Sequence, residues 1–273
     1  MAGIVAAALV PHAPRLATWD GAPEFGRPLI EGLRSLGDAV RALAPDAILI
    51  QSAHWVCTFD WYVTCHTLHE GTCIADEAPD LIPGQRYRRA GDPALGDAIV
   101  ATLTAAGLRS RANRSEHYTW DYGGVVPLGH MDPDATLPAV ELPVVMCADL
   151  AESRRAGGLL DAAAKAAGKR VVLLGATALS HALVRTPSDW PTPARMAADA
   201  AFLDRMEAGD AAGLADELPS WAKANEAEMG GRVLATVLGA LESLGARLSG
   251  RRFGPYAQSS GTGNAAILVA PAN

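Results

Sequence analysis

Three of the seven histidines stand just after strongly apolar runs. His12 follows Ile4–Val10, His54 follows Ala47–Ile50, and His181 follows Val171–Leu174. Neutral imidazole is a ligand for iron, zinc, copper and nickel, and it carries protons near neutral pH. Two histidines and one carboxylate on one face of a metal leave positions open for other ligands, the arrangement of non-heme Fe(II) oxygenases. Ligands of open α/β sheets collect outside the carboxyl ends of the strands. One histidine at such an edge would usually be a satisfied polar residue. Three delivered there by three strands point to a shared site, with a mononuclear metal between His12, His54 and a distant acid.

The acid is Glu226 or Glu228, both just ahead of Gly230-Gly231 and of an apolar helical pattern at Val233, Leu234, Val237, Leu238 and Leu241. The plainer reading makes both ordinary acids at a helix N-terminus, where the dipole favours them. Helical phase places Glu226 on the face of Val233 and Val237, provided the helix already includes residue 226. Spacing leaves the choice open. His66 and His69 are close enough to share a metal, but they suit a partly exposed strand end. His117 and His130 suit polar loop positions.

The elements that position these residues follow from the pattern. Pro11-His12-Ala13-Pro14 can continue neither a central strand nor a helix, so His12 sits in a loop at the end of the Ile4–Val10 strand. Leu29, Leu33, Leu36, Val40 and Leu43 recur at helical spacing within Pro28–Leu43. Ala47–Ile50 is the next strand, and strand, helix, strand predicts a parallel pair with a right-handed crossover. That would make His12 and His54 residues of neighbouring strand ends. Trp61–Thr67 reads as a strand and Gly71–Arg89 as a long, proline-punctuated connection. Asp92-Pro93 starts a helix that runs to about Ala106. Val144–Cys147 is a short strand entered through Pro143, Glu152–Ala167 a helix, and Val171–Leu174 a strand. Helices fill Pro193–Gly209 and roughly Ala227–Leu244, and Ala265–Val269 is a last strand. No repeat or linker divides the chain. The expectation is one α/β domain over residues 1–273, with αβα layers and a mostly parallel central sheet flanked by helices.

Composition narrows the function. The net charge is −7, and the 23 basic residues form no dense patch, Arg109, Arg111 and Arg114 being the closest cluster, which argues against nucleic-acid binding. No apolar run reaches the roughly 18–20 residues that span a bilayer, and Met1-Ala2 supplies no basic start for a signal peptide. No membrane association and a cytoplasmic location are expected. Cys57, Cys65 and Cys73 recur every eight residues, but they and Cys147 lack metal-knuckle spacing. They read as free thiols in a reducing compartment.

Several short motifs in order carry more. Val10-Pro11-His12-Ala13-Pro14, Ser52-Ala53-His54-Trp55, Gly91-Asp92-Pro93-Ala94-Leu95, Asp121-Tyr122-Gly123 with Val126-Pro127-Leu128, Leu179-Ser180-His181, Glu228-Met229-Gly230-Gly231-Arg232 and Gly261-Thr262-Gly263-Asn264-Ala265 span nearly the whole chain. As a set they resemble the class III (LigB-type) extradiol ring-cleavage dioxygenases. The resemblance implies metal ligands at His12, His54 and Glu228, an acid/base at His181, and Fe(II) as the metal, with Mn(II) or Zn(II) as substitutes. It implies a small aromatic substrate and O₂, a ring-opened semialdehyde acid as product, and either a homo-oligomer or pairing with a related subunit. Many members carry Asp-His-Gly where this chain has Asp121-Tyr122-Gly123, and an acidic residue within the segment Ala176-Thr177-Ala178. These departures, with Leu-Ser-His and Gly-Thr-Gly-Asn-Ala, look most like the catalytic subunit of 2-aminophenol 1,6-dioxygenases. Tyr122 and His181 would then meet the substrate, and Trp55 would wall the pocket. A catechol-type dioxygenase would use the same residues. A non-catalytic Memo-like binding protein or partner subunit would lack one or more ligands, and a zinc hydrolase would need no position for O₂.

Overall fold

The apolar run at the start of the chain folds as β1 (Gly3–Val10) and is cut off by Pro11; Pro14 then opens a 3₁₀ turn, Pro14–Leu16. The computed structural model describes residues 2–82 and 84–272. After β1 come α1 (Arg27–Ala42), β2 (Ala47–Cys57), β3 (Trp61–Thr64), β4 (Leu68–Cys73) and β5 (Gln85–Ala90). Next are α2 (Pro93–Ala105), β6 (Ser110–Asn113), α3 (Tyr122–Met131), β7 (Ala139–Val145), α4 (Leu150–Ala166) and β8 (Arg170–Ala176). The chain closes through α5 (Pro193–Glu207), α6 (Ala211–Ala224), α7 (Arg232–Ser243), β9 (Leu248–Ser259) and β10 (Thr262–Pro271).

Six strands form the central sheet in the order β7-β2-β8-β1-β10-β9. The first four run parallel; β10 is antiparallel to β1 and β9 to β10. The expected mostly parallel αβα domain is what forms. Alternation along the strands splits the core. Ala6, Ala8 and Val10 of β1, Ile48 and Ile50 of β2, and Val172 and Leu174 of β8 face α1 and α3. Ala7 and Leu9, Ala47 and Leu49, and Val171 and Leu173 face the layer of α2, α4, α6 and α7. Burial on both faces is why these strands read as unbroken apolar runs. Each buried Leu or Ile contributes roughly 1.5–3 kcal/mol.

Several boundaries differ from the sequence reading. β1 and β2 are parallel but not neighbours: β8 lies between them, with Leu173 opposite both Ala7 and Leu49. The crossover therefore skips one strand position, which local pattern does not encode. The segment read as a connection over Gly71–Arg89 contains the β4/β5 hairpin. Gln85–Ala90 holds three arginines and a glutamine among its six residues, so it gave no strand signal; Pro83 lies outside the described residues. The strand read over Trp61–Thr67 stops at Thr64, and that read over Val144–Cys147 is Ala139–Val145. It carries Pro143 because β7 is an edge strand and needs no ladder donor there. The short β6, helix α3 and the polar β9 were not anticipated. The helix read from about Ala227 begins at Arg232.

Candidate metal centre

Opposite ends of the sequence meet at the carboxyl ends of β1, β2 and β8. His12 stands two residues past β1. His54 stands in β2 where the strand bulges: Gln51 pairs with Leu142 and Val56 with Val144, so four residues on β2 oppose Pro143 alone. A bulge beside a site re-aims side chains, and here it frees His54 from the ladder. Glu228 opens a short turn, Glu228–Gly231, in which Met229, Gly230 and Gly231 all have positive φ (48°, 64° and 83°). Two glycines adopt that region without a Cβ penalty, which lets the turn point Glu228 inward before α7 begins.

His12, His54 and Glu228 each present one ligand atom, and these atoms all lie within 4.8 Å of one another. Glu228 Oε1 is 3.4 Å from His12 Nε2, 3.5 Å from His54 Nε2 and 3.2 Å from His181 Nε2. Its other oxygen, Oε2, accepts from the Ala178 amide at 2.5 Å and lies 3.1 Å from the Thr177 hydroxyl. An acid at Thr177 would put a second carboxylate against Glu228; the hydroxyl supports it instead. Burial works against ionising Glu228, but the His12, His181 and His54 imidazoles outweigh it and hold the carboxyl well below its usual range. The donor set is two imidazoles and one ionised, inward-pointing carboxylate oxygen. Ligands about 2 Å from a divalent ion stand roughly 3–4 Å apart, as each of the two imidazoles does from Glu228 Oε1. The set fits a divalent transition metal, and Glu228 Oε1 is the oxygen that both imidazoles face.

A second ring of contacts aims the ligands. The Tyr122 hydroxyl donates to Glu77 Oε1 and lies 2.7 Å from His54 Nδ1. A hydroxyl has one proton, so donating to Glu77 leaves it to accept from His54 Nδ1–H. His54 then offers the lone pair of Nε2, the usual way an outer partner fixes a ligand tautomer. Burial, then Glu77, pushes the Tyr122 phenol upward, so it stays protonated. Burial disfavours charge on His54, yet Glu228 and the nearby carboxylates raise its pKa above the ordinary value. Asp121 caps α3 by accepting from Gly123 N at 2.6 Å, and it takes the Ser52 hydroxyl at 2.7 Å. Ser52 in turn accepts from His54 N at 3.0 Å. Gly123 must be glycine for this chain, since a Cβ there would lie 2.1 Å from Ser52 Oγ.

His181 is held separately. Its amide donates to Glu226 O at 3.0 Å, and the preceding Ser180 is anchored to buried Asp199 through its amide at 3.1 Å and its hydroxyl at 2.6 Å. Tyr256 donates to the same carboxylate at 2.7 Å. Gly263 leaves room for it, because a Cβ there would lie 2.0 Å from Asp199 Oδ2. The late Gly-Thr-Gly-Asn segment thus serves the His181 loop from the facing strand. Neither Asp199 nor Glu77 was found from the sequence; one lies mid-helix and the other in an irregular loop, with no pattern to mark them.

His12, His54, Glu77, Tyr122, His181 and Glu228 share one cavity of about 250 Å³. Trp55 is not among its lining residues; its ring packs 4.6 Å from that of Tyr118. Glu226, the alternative acid, is exposed and ion-pairs with Arg195, so helical phase misled because the helix has not begun there. His69 is buried at 5% exposure rather than at an exposed strand end, with Nε2 3.2 Å from Ala139 O. His130 ends α3 with Nε2 2.6 Å from Leu16 O, and His117 is an exposed loop residue. A larger groove of about 920 Å³ between α4, α6 and α7 holds none of the histidines, and its Arg154 pairs with Asp216 and Glu242. All four cysteines are free. Among the described residues no helix is long and apolar enough to cross a membrane.

This chain belongs to the LigB family: the model for the catalytic LigB subunit of aromatic ring-opening dioxygenase matches residues 6–267. Among its relatives, 3,4-dihydroxyphenylacetate 2,3-dioxygenase of Escherichia coli is 26% identical over 57% of this chain, a stretch that spans 56% of that relative's length. The 2-aminophenol 1,6-dioxygenase alpha subunit of a Pseudomonas species is 27% identical over 77% of this chain and 79% of its own. A crystal structure of the uncharacterized protein JW3007 from Escherichia coli K12 superimposes with a TM-score of 0.69, covering 97% of this chain and 99% of that one at 20% identity. That likeness bears on the fold alone.

Proposed function

We propose that this protein is an Fe(II)-dependent extradiol dioxygenase that opens an aromatic ring bearing vicinal OH and NH₂ groups, 2-aminophenol-like, with O₂. The observation that carries the reading is the convergence of His12, His54 and Glu228 on a cavity of about 250 Å³, room enough for a single substituted ring, with His181 beside them. Bound Fe(II), or Mn(II) in its place, would supply positions at which a chelating ring and O₂ are held side by side, a proximity contribution. The remaining work falls to the chain. His181 lines the cavity and takes a proton from the substrate hydroxyl or returns one, general acid–base work within reach of the ring. Tyr122 holds His54 in its ligating tautomer, and its ring lines the pocket. Ala78, Leu81 and Leu183 give the mouth apolar walls that limit water around the reacting ring.

The aminophenol preference is supported by Tyr122 and by the likeness to the Pseudomonas alpha subunit. The likeness to the Escherichia coli relative favours a second reading, a catechol-type substrate on the same residues. The alpha-subunit likeness also supports assembly with a related subunit or a second copy. The four free thiols accord with a reducing cytoplasm. The test is to load apo-protein with Fe(II) anaerobically, then admit air with 2-aminophenol or catechol. O₂ uptake with a coloured ring-opened product is expected, faster with 2-aminophenol. No turnover of either substrate, together with no retained iron, would overturn the oxygenase reading.

A further inference from the structure

The cavity contains one cationic group that the ring-cleavage reading leaves without a task. Arg15 lines it, and is the one arginine or lysine among the described lining residues. Among the described residues, Arg15 takes part in no hydrogen bond or ion pair. The buried Arg89 is paired with Asp132 at 2.5 Å, and the half-buried Arg27, which makes no ion pair among the described residues, stacks over the Trp19 ring; Arg15 has neither kind of partner among them. The acids nearby do not neutralise it. Glu77, on the same wall, receives the Tyr122 hydroxyl, and Asp80 borders the adjoining cavity that Arg15 also lines; neither ion-pairs with it.

Arg15 is also fixed to the metal wall by the backbone. It is the middle residue of the 3₁₀ turn Pro14–Leu16, three residues after His12. Leu16 N donates to Ala13 O at 2.9 Å and Ala17 N to Pro14 O at 3.0 Å, closing that turn. A partly buried arginine whose side chain no described protein group pairs, on a pinned turn, beside the apolar Ala78, Leu81 and Leu183, is poised for an anionic ligand. Its planar fork matches a carboxylate in two parallel hydrogen bonds. We propose that Arg15 is the specificity-determining residue of this cavity: it receives the carboxylate of an aromatic substrate whose vicinal OH/NH₂ pair faces His12, His54 and Glu228. This rests on the ring-cleavage reading and narrows its substrate to rings with an anionic substituent.

The test compares two ligands that differ in that substituent alone, 4-amino-3-hydroxybenzoate and the neutral 2-amino-5-methylphenol. Their affinities are measured by anaerobic calorimetric titration of Fe(II)-loaded protein. A charge-assisted pair predicts binding of the carboxylate about tenfold tighter or more. In Arg15→Gln the ratio of the two affinities should fall to near unity, and Arg15→Lys should keep part of it. Equal affinities in the unaltered protein, or a carboxylate preference that survives in Arg15→Gln, would overturn the proposal while leaving ring cleavage standing. Binding of neither ligand would overturn both.

Discussion

Tyr122→Phe removes one oxygen and nothing else, and that oxygen bridges the ligand His54 to Glu77. Outer partners of metal-bound histidines are typically worth 10–100-fold in metal affinity, about 1.4–2.8 kcal/mol. The lower end applies here. The Glu77 side chain is 56% exposed, and that of His54 23%, so water can reach Nδ1 once the hydroxyl is gone. The phenylalanine ring keeps the packing over His54, whose centroid is 4.2 Å from that of Tyr122. The expected result is Fe(II) bound about tenfold more weakly, measured by anaerobic competition with a colorimetric chelator. Glu77→Gln keeps an acceptor for the Tyr122 hydroxyl and should weaken binding less. Unchanged Fe(II) affinity in Tyr122→Phe, with only the apparent KM for substrate raised, would refute the argument. The hydroxyl would then be a substrate contact rather than the group that orients His54.

Two further outcomes follow from the same contacts. Asp199→Asn replaces an acceptor of three hydrogen bonds with a group that must turn a donor toward Ser180 or Tyr256; kcat should fall with Fe(II) content unchanged, and chemical denaturation should report a loss of about 1–3 kcal/mol. Burial first, then the charges of His66 and Arg89, lowers the His69 pKa from 6.5 to about 4. The unfolded chain therefore binds a proton that the folded one refuses, so His69 favours folding above about pH 6.5 and that contribution is lost as the pH falls toward 4, up to about 3 kcal/mol. Urea unfolding across this range should show the loss, and His69→Gln should flatten it; an unchanged slope in the variant would exclude His69 as its source.

Much of the site was legible because its residues sit where strong patterns end. His12, His54 and His181 each follow a run whose apolarity comes from burial on both faces of the sheet, so strand ends could be placed by the proline and glycine that break them. The acid was harder. Glu226 and Glu228 are alike as residue types, and what separates them is the run of positive φ at Met229, Gly230 and Gly231, which delays α7 to Arg232. The glycines hinted at this; the methionine did not. The strand order was not legible either, since β8 enters between β1 and β2 from more than a hundred residues away. The least legible part is the outer ring around the ligands. Tyr122 was expected to meet the substrate; its ring lines the cavity, and its hydroxyl also joins His54 to Glu77, a residue in the loop between β4 and β5 that no pattern marks. Trp55, placed beside His54 in sequence, points to Tyr118, as adjacent residues of a strand face opposite sides.

The central claim is that His12, His54 and Glu228 hold one divalent metal, and metal content tests it most directly. After anaerobic loading with Fe(II) and removal of excess ion, elemental analysis of the unaltered protein should give one iron per chain. His12→Ala, His54→Ala and Glu228→Ala should each lose it, while Glu226→Ala should keep it. Full iron retention by Glu228→Ala, or loss of iron from Glu226→Ala alone, would contradict the account.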